Sequence, residues 1–283
     1  MLNHEEGRLR FLRRAAERPR RRFRRGVYIL PTLFTLGNMF CGYACIVFAM
    51  RGEFETAAPF IGFAIVLDML DGRIARITGS ASDFGVEFDS LADVISFGIA
   101  PAILSFSWGL QPLGRLGWLA GFLFLTAAAM RLARFNIQSG TGGDKRYFVG
   151  MPSPAAAGVP AATVFAWASE YPLGLTDYRA ALPALAMVLV PAALMVSTIR
   201  FRSFKTIDLQ SRRSYTVVIL LAAGIALIGW HPRVVLVVLA YSYLASAFVG
   251  LAISRLRRAE RPAQNTSPHA VPIDPPARDG TAR

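Results

Sequence analysis

Charged residues are scarce in this chain, and cysteine and histidine are rarer still. Only 17% of the 283 residues are charged, against about 25% in soluble globular proteins, and 54% are hydrophobic. The two cysteines, Cys41 and Cys45, lie one helical turn apart in one apolar stretch, which argues against a disulfide framework. The three histidines are scattered, so a histidine-based zinc site has no support. These absences exclude a small disulfide-rich secreted domain and favour a membrane protein.

Long apolar stretches supply what the charged residues do not. Eight of them approach or reach the roughly 20 residues that a membrane-spanning helix needs: 33–50, 57–77, 89–109, 117–137, 154–169, 180–198, 214–230 and 234–253. The fifth is the shortest, and the short break between the last two predicts a tight hairpin. We therefore predict an all-α, polytopic membrane helical bundle with a six-helix core, a C-terminal helix hairpin and about eight spans.

The net charge of +13 is distributed unevenly along this topology. With eight spans, both termini and alternate loops lie on one side of the membrane, and most basic residues fall there. That side carries ten arginines between Arg8 and Arg25, with Lys145, Arg146, Arg200, Arg202, Lys205, Arg212, Arg213, Arg255, Arg257, Arg258 and Arg261, whereas the opposite loops carry Arg51, Arg115, Arg179 and Arg233. This asymmetry predicts a multi-pass protein of the cell (inner) membrane with cytoplasmic termini. We expect the basic arm to contact anionic lipid headgroups of the bilayer, and we predict no nucleic-acid partner.

Four aspartates interrupt the second and third apolar stretches. Each carboxylate costs about 2.5–3.5 kcal/mol at the centre of a bilayer, so the cluster needs compensation. On a helix, Asp68 and Asp71 share one face, and Asp89 and Asp93 share a face of the next helix. Packing of the two helices would bring all four together. Hard divalent cations are the natural partners of such oxygen-rich clusters, so the spacing predicts a metal site inside the membrane protein.

Small residues and arginine lie on the same helix faces. Gly72 and Ala75 continue the first stripe, Arg76 lies at its edge, and Gly85 precedes the second pair by one turn. Such residues leave room for a ligand, although glycine in a membrane helix often serves only close packing. Acids, cations and arginine together are the groups that phosphoryl transfer uses, and two divalent ions would balance four negative charges. The alternative is an ion-pair network with Arg73 and Arg76, which would leave two negative charges unpaired.

The order of these residues resembles a known signature. The pattern D-x-x-D-G-x-x-A-R, then eight residues, then G-x-x-x-D-x-x-x-D begins at Asp68 and ends at Asp93, and it matches the CDP-alcohol phosphotransferases without a departure. The resemblance implies a helical, usually dimeric membrane enzyme that binds a CDP-linked donor at its cytoplasmic end. Such an enzyme passes the phosphoryl moiety of the donor to an alcohol and releases CMP.

The resemblance also implies a role for each residue of the signature. Asp68, Asp71 and Asp89 are expected to be ligands of two Mg²⁺ or Mn²⁺ ions, and Asp93 is expected to be both a ligand and the general base. The CDP pocket would be lined by Gly72, Ala75, Arg76 and Gly85.

Other parts of the chain are similar to those family members that use CDP-diacylglycerol and L-serine as substrates. The similar stretches are 30–42, 87–101, 131–136, 150–158 and 201–205. Asn38 would then lie near the nucleotide, with an interhelical hydrogen bond as the alternative. The carboxylate of the acceptor would be held by Arg131, Arg134 and Asn136, with Lys145 as a further candidate.

Two other functions stay open at this point. A related enzyme could use glycerol 3-phosphate or inositol as the acceptor, because charge alone does not exclude a phosphorylated acceptor. A divalent-cation transporter could use the membrane acids as a permeation site, but it would not require Gly72, Ala75, Arg76 and Gly85 at fixed offsets.

The domain organisation follows from these stretches. We predict a basic cytoplasmic arm at 1–29, a membrane core at 30–205, a transmembrane hairpin at 206–256 and a Pro-rich, disordered cytoplasmic tail at 257–283. We expect no cleavable signal peptide, because the arginine-rich arm before the first apolar stretch is too long and polar. The resemblance implies a homodimer.

Overall fold

Helices make up nearly all of the computed structural model, which describes residues 29–78, 82–140, 147–197, 200–202, 222–224 and 226–259. The α-helices are α1 (Ile29–Met50), α2 (Phe54–Thr78), α3 (Asp83–Val94), α4 (Ala100–Ser105), α5 (Arg115–Gly140), α6 (Ser153–Trp167), α7 (Tyr178–Val196) and α8 (Pro232–Ala259). Between α3 and α5 the chain stays helical through two π-helical turns, Ile95–Ile99 and Phe106–Leu110, and a 3₁₀ turn, Gln111–Leu113. Two short strands, β1 (Tyr147–Val149) and β2 (Arg200–Arg202), pair antiparallel.

Within the described part of the chain, four helical segments are long and apolar enough to cross a membrane. They are Thr32–Met50, Phe84–Leu113, Arg115–Ile137 and Tyr178–Val196. Helix α2 is as long, but its C-terminal half carries two aspartates and two arginines. The predicted all-α polytopic bundle is confirmed, and the chain is a multi-pass membrane protein.

The fifth predicted span is short in the structure, and the last two are described only in part. Helix α6 has 15 residues, which corresponds to about 22 Å of helix, shorter than the roughly 30 Å hydrocarbon core. Of the seventh predicted span, 222–224 and 226–230 are helical, and the rest lies outside the described residues. Helix α8 starts immediately after His231. The predicted hairpin and domain boundaries therefore stay predictions.

Small side chains allow the helices of the core to pack closely. Helix α1 packs along α2, and α6 lies between α2, α7 and α8. The core contains many fully buried alanines and a few larger side chains, among them Ile61, Phe97 and Val159. Such enrichment in small residues is typical of membrane helix interfaces, where packing replaces the hydrophobic effect. Cys41 and Cys45 are buried free thiols in this core, which agrees with the expected absence of a disulfide.

Helices α1 and α3 approach each other closely at Gly42. A Cβ atom on Gly42 would lie 2.6 Å from Ser96 Oγ and 2.8 Å from Ser96 Cα, so only glycine fits there. Ser96 lies in the first π-helical turn and its Oγ donates a 2.8 Å hydrogen bond to the Asn38 carbonyl. Pro101 follows this turn; it has no N–H, and its ring clashes with the carbonyl four residues back, which favours the wider π turn. The result is a fixed rotation of α1 against α3.

The two ends of the bundle differ in what they contain. At one end, which we call the acid end, α2 finishes, α3 begins, α5 finishes and α6 begins. Strands β1 and β2 pair there, so that the start of α6 lies next to the end of α7. Gly150 (φ +87°) allows this close approach, because a Cβ atom at this position would lie 2.4 Å from the Met195 carbonyl oxygen. The opposite end, the far end, contains the turn at Arg51–Glu53 and the connection between α6 and α7.

Candidate active site

The start of α3 determines where Asp89 and Asp93 lie along the axis of the bundle. Ser82 has an extended backbone (φ −121°, ψ 152°), and its side chain accepts a 3.1 Å hydrogen bond from the Gly85 N–H. This N-cap satisfies one of the free donors of the first turn. Asp89 and Asp93 then follow one turn apart, directly before the π-helical segment.

Three of the four aspartates meet at the acid end. Carboxylate oxygens of Asp68, Asp89 and Asp93 all lie within 4.8 Å of one another. Asp93 is buried, and the other two are partly buried. One oxygen of Asp89, Oδ1, is buried without a hydrogen-bond partner among the described residues. Hard oxygen ligands in this density, with an unpartnered buried oxygen, fit a divalent cation such as Mg²⁺ or Mn²⁺.

The fourth aspartate lies beside this trio and has a different partner. Asp71 is buried, and its Oδ2 accepts a hydrogen bond from Thr35 Oγ1 on α1. Asp71 still interacts electrostatically with Asp68 and Asp89. Four acids were predicted to converge. In the structure three of them form a cluster, and the fourth, Asp71, lies beside it and is hydrogen-bonded to α1.

Asn38 contacts the cluster directly. The residue is completely buried, and its Nδ2 donates a 3.1 Å hydrogen bond to Asp93 Oδ1. Its own Oδ1 has no hydrogen-bond partner among the described residues. The interhelical hydrogen bond considered for Asn38 from the sequence is thus present, while the amide oxygen stays available to a ligand.

Arg131 is the cation that faces the aspartates from α5. Its guanidinium interacts electrostatically with Asp93 and Asp68, and with Tyr243 of α8. Its Nη1 donates a 2.7 Å hydrogen bond to Ser153 Oγ at the start of α6. Its Nε is buried without a hydrogen-bond partner in the described part of the chain. An arginine in this position can balance part of the negative charge and still offer donors to an anionic group.

The other residues expected at the acceptor have partners of their own. Arg134 Nη1 lies 3.5 Å from the Val196 carbonyl oxygen, at the limit of a hydrogen bond. Asn136 Nδ2 donates a 2.9 Å hydrogen bond to Ser90 Oγ, which ties the end of α5 to α3. Lys145 lies outside the described residues. Arg131 is therefore the member of this predicted group that the structure brings to the aspartates.

The residues expected to line the nucleotide pocket follow the helix stripes. Gly72 is exposed on α2, one residue after Asp71, and Gly85 is partly exposed in the first turn of α3. Ala75 and Arg76 continue α2, but their side chains lie outside the described part of the structure. Arg73 is exposed, and the described residues show no ion pair between it and an aspartate. The ion-pair network with Arg73 thus receives no support.

Sequence reasoning missed several residues that contact the site. Thr35, Ser153 and Tyr243 contact or interact with Asp71 or Arg131. Thr35 had a usable signal, because it lies one turn before Asn38 on the same face of an apolar helix. Tyr243 had none, since the face that α8 presents depends on tertiary packing.

Comparison with known proteins identifies the family of this chain. The sequence model of the CDP-alcohol phosphatidyltransferase family matches residues 28–199. The CDP-diacylglycerol–serine O-phosphatidyltransferase of Helicobacter pylori (strain ATCC 700392 / 26695) is 38% identical over 69% of this chain and 81% of its own length. The enzyme of the same name from Mycobacterium leprae is 32% identical over 80% of this chain and 76% of its own.

An archaeal protein is also similar. The archaetidylserine synthase of Methanothermobacter thermautotrophicus is 37% identical over 61% of this chain and 69% of its own length. The region that the family model matches, 28–199, contains the aspartates of α2 and α3, Asn38 and Arg131. The chain belongs to the CDP-alcohol phosphatidyltransferase family.

Proposed function

We propose that this protein transfers the phosphatidyl group of CDP-diacylglycerol to the hydroxyl of L-serine, giving phosphatidylserine and CMP. The observation that carries the proposal is the trio Asp68, Asp89 and Asp93, which cluster at one end of a membrane bundle. Family membership supports the reaction class, and relatives named as serine phosphatidyltransferases support serine as the acceptor. Because the chain belongs to a family of transferases, we do not retain the alternative of a divalent-cation transporter.

The aspartates would hold the metal ions of the reaction. We assign Asp68, Asp71, Asp89 and Asp93 as ligands of two Mg²⁺ or Mn²⁺ ions. When bound, such ions supply positive charge against the pyrophosphate oxygens of the donor and the departing CMP. Four carboxylates without ion-pair partners among the described residues are consistent with a site that needs this charge.

Asp93 is the residue we propose as the general base. The serine hydroxyl oxygen attacks the β-phosphorus, its proton passes to an Asp93 carboxylate oxygen, and the bond from that phosphorus to the CMP oxygen breaks. Asn38 donates to Asp93 Oδ1 at 3.1 Å, so it orients the carboxylate and leaves the second oxygen free to accept the proton.

The nucleotide of the donor would bind beside the trio. We propose that Gly72, Ala75, Arg76 and Gly85, with the amide oxygen of Asn38, line the nucleotide pocket. The acyl chains of the donor would stay in the bilayer, beside the exposed apolar faces of the helices.

Arg131 is the residue proposed to bind the serine carboxylate. Its guanidinium lies within electrostatic reach of Asp93, which would place the bound serine next to the base. Arg134 and Lys145 would form a basic wall with Arg131, and Asn136 would add a neutral hydrogen-bond donor. We further propose a homodimer in the cell (inner) membrane with the acid end on the cytoplasmic side, as the distribution of arginine supports.

The direct test offers one donor and three acceptors. Purified protein with CDP-diacylglycerol and Mn²⁺ or Mg²⁺ receives serine, glycerol 3-phosphate or inositol in separate reactions, and CMP release is measured. We expect release with serine alone. Asp177→Asn, an exposed change of the same chemistry at the far end, is the matched control for variants of the four aspartates. Release with another acceptor and not with serine would contradict the assignment.

A further inference from the structure

Helix α1 carries two buried polar side chains that both point to the acid cluster. Thr35 and Asn38 lie three positions apart in the sequence, so they share one face of α1. Thr35 Oγ1 donates to Asp71 Oδ2, and Asn38 Nδ2 donates to Asp93 Oδ1. One helix without an acid of its own therefore contacts one carboxylate on each of the two acid-bearing helices.

This face of α1 is held in place by packing. The contact at Gly42 brings α1 against Ser96, and Ser96 in turn donates to the backbone carbonyl of Asn38. Because α1 is fixed against the π-helical turn after α3, its two donors are fixed relative to the aspartates. A donor on a rigid element orients a carboxylate more strictly than one on a flexible loop.

Asp71 lies beside other acids that repel it. It lies close enough to Asp68 and Asp89 to interact electrostatically, and all three repel when charged. Without a partner, Asp71 would gain free energy by turning away from the trio. A carboxylate accepts about four hydrogen bonds or metal contacts, so the contact with Thr35 leaves further lone pairs for a cation.

We propose that Thr35 is a positioning residue that holds Asp71 beside the trio, so that Asp71 completes the binding site for divalent cations. This inference rests on the metal assignment in the proposed function. Partners that hold ligands in other metalloproteins typically change metal affinity or activity 10–100-fold when they are removed.

A purely structural role for Thr35 makes a different prediction. If the hydroxyl only joined α1 to α2, its loss would lower stability with and without metal, and the affinity for metal would stay the same. Metal affinity measured without substrates, together with stability measured in chelator, therefore separates the two roles.

The test uses the full-length purified protein and Mn²⁺ alone. Thr35→Val removes the hydroxyl at constant shape, and Thr35→Ser keeps it. Thr126→Val is the matched control, because Thr126 is on α5 and its Oγ1 donates only to the Phe122 carbonyl of the same helix, at 2.8 Å. Bound Mn²⁺ is determined from the electron paramagnetic resonance of the free ion, and thermal unfolding is followed in chelator.

We expect Thr35→Val to weaken Mn²⁺ binding by about tenfold or more, and Thr35→Ser and Thr126→Val to bind as the wild type does. Equal affinity of Thr35→Val and wild type, or equally weak binding by Thr35→Ser, would overturn the inference. If Thr35→Val does not fold, Thr35→Ala takes its place, and misfolding of both would assign Thr35 to folding instead.

The outcome is separable from the test of the enzyme reaction. The Mn²⁺ titration contains neither nucleotide nor serine, so a failure of serine-dependent CMP release would leave its result standing. Conversely, the wild type could release CMP with serine while Thr35→Val binds Mn²⁺ as tightly as the wild type does. That result would contradict this inference and leave the proposed function standing.

Discussion

The acid end and the far end of the bundle provide different partners for their acidic side chains. At the far end, Glu55 forms an ion pair with Arg233, and Arg233 also donates a 2.6 Å hydrogen bond to Ser169. At the acid end, the described residues show no ion pair within 4 Å for any of the four aspartates. Their direct partners are a hydroxyl and an amide, and Arg131 interacts at longer range.

This difference indicates where the protein leaves charge to be neutralised from outside. The far-end pair is balanced within the chain, and it joins α8 to α2. No cation among the described residues forms an ion pair with the aspartates, so their negative charge is costly in a membrane protein unless a cation binds. An acid that helps only the fold would be expected to look like Glu55, so the contrast favours a functional role for the aspartates.

The cavities of the molecule do not follow this division. A cavity of about 300 Å³ lies near the far end, with Trp108, Trp167 and Tyr171 among its lining residues, and no carboxylate lines it. Its polar groups are neutral, among them the hydroxyls of Thr163 and Tyr241, so it offers neither acids that hold metal ions nor cations that bind a pyrophosphate. The aspartates at the acid end are therefore the better candidate for the chemistry.

The largest expected effect comes from removing the proposed base at the acid end. Asp93→Asn should lower CMP release by about 10²–10⁴-fold, because the amide cannot accept the serine proton. Circular dichroism and elution volume should stay as in the wild type. Asp177→Asn should keep full activity; turnover of Asp93→Asn near the wild-type rate would remove Asp93 from the base role.

A second variant should separate repulsion from metal binding. Asp89→Asn removes one of the charges that repel Asp68 and Asp71. In chelator, relief of about 1 kcal/mol would raise the unfolding midpoint by about 2–4 °C. With Mn²⁺, bound metal stabilises the wild type and not the variant. The wild type should then have the higher unfolding midpoint of the two. The same order in both buffers would contradict a metal role for Asp89.

The basic wall of the site gives a smaller and more selective effect. Arg131→Ala should raise the KM for serine by about 10–100-fold, as expected for a lost charged hydrogen bond, and leave the KM for CDP-diacylglycerol nearly unchanged. Initial rates at varied serine and varied donor measure both constants. Arg115→Ala, an exposed change at the far end, is the control. Equal increases in both KM values would argue against a specific serine contact.

The smallest effect is expected from breaking the far-end ion pair. Glu55→Gln removes the charge opposite Arg233, and both side chains are substantially exposed, at 56% and 41%. The change should cost about 1 kcal/mol at most and leave CMP release at the wild-type level. Thermal unfolding and the activity assay check the two parts. A large loss of activity would mean that the two ends are not as independent as the comparison suggests.

Periodicity was sufficient to predict much of the acid end. The spacing of Asp68 and Asp71, and of Asp89 and Asp93, follows from helix geometry alone, so shared faces could be inferred without a structure. The third apolar stretch was predicted from residue 89, whereas the helix that carries it begins at Asp83, because the polar residues before Asp89 do not look like a membrane span. Ser82, a good N-cap residue, was the available signal for the earlier start.

Contacts between helices could not be inferred in the same way. The hydrogen bond from Thr35 to Asp71 depends on how α1 is rotated against α2 and α3, which the packing of Gly42 on Ser96 determines. Similarly, Arg134 and Asn136 look like one cluster with Arg131 in sequence. In the fold the Arg134 side chain contacts the end of α7, and the Asn136 side chain contacts Ser90 in the second half of α3.

The central claim, that aspartates of two neighbouring helices bind divalent cations, is tested most directly by locating Mn²⁺ in crystals. Anomalous difference maps at the manganese absorption edge, from wild-type protein crystallised with Mn²⁺, should show strong density among Asp68, Asp89 and Asp93. Asp89→Asn crystals grown in the same way should show much weaker density there. Maps without density at this position in the wild type, or with density only elsewhere, would contradict the account.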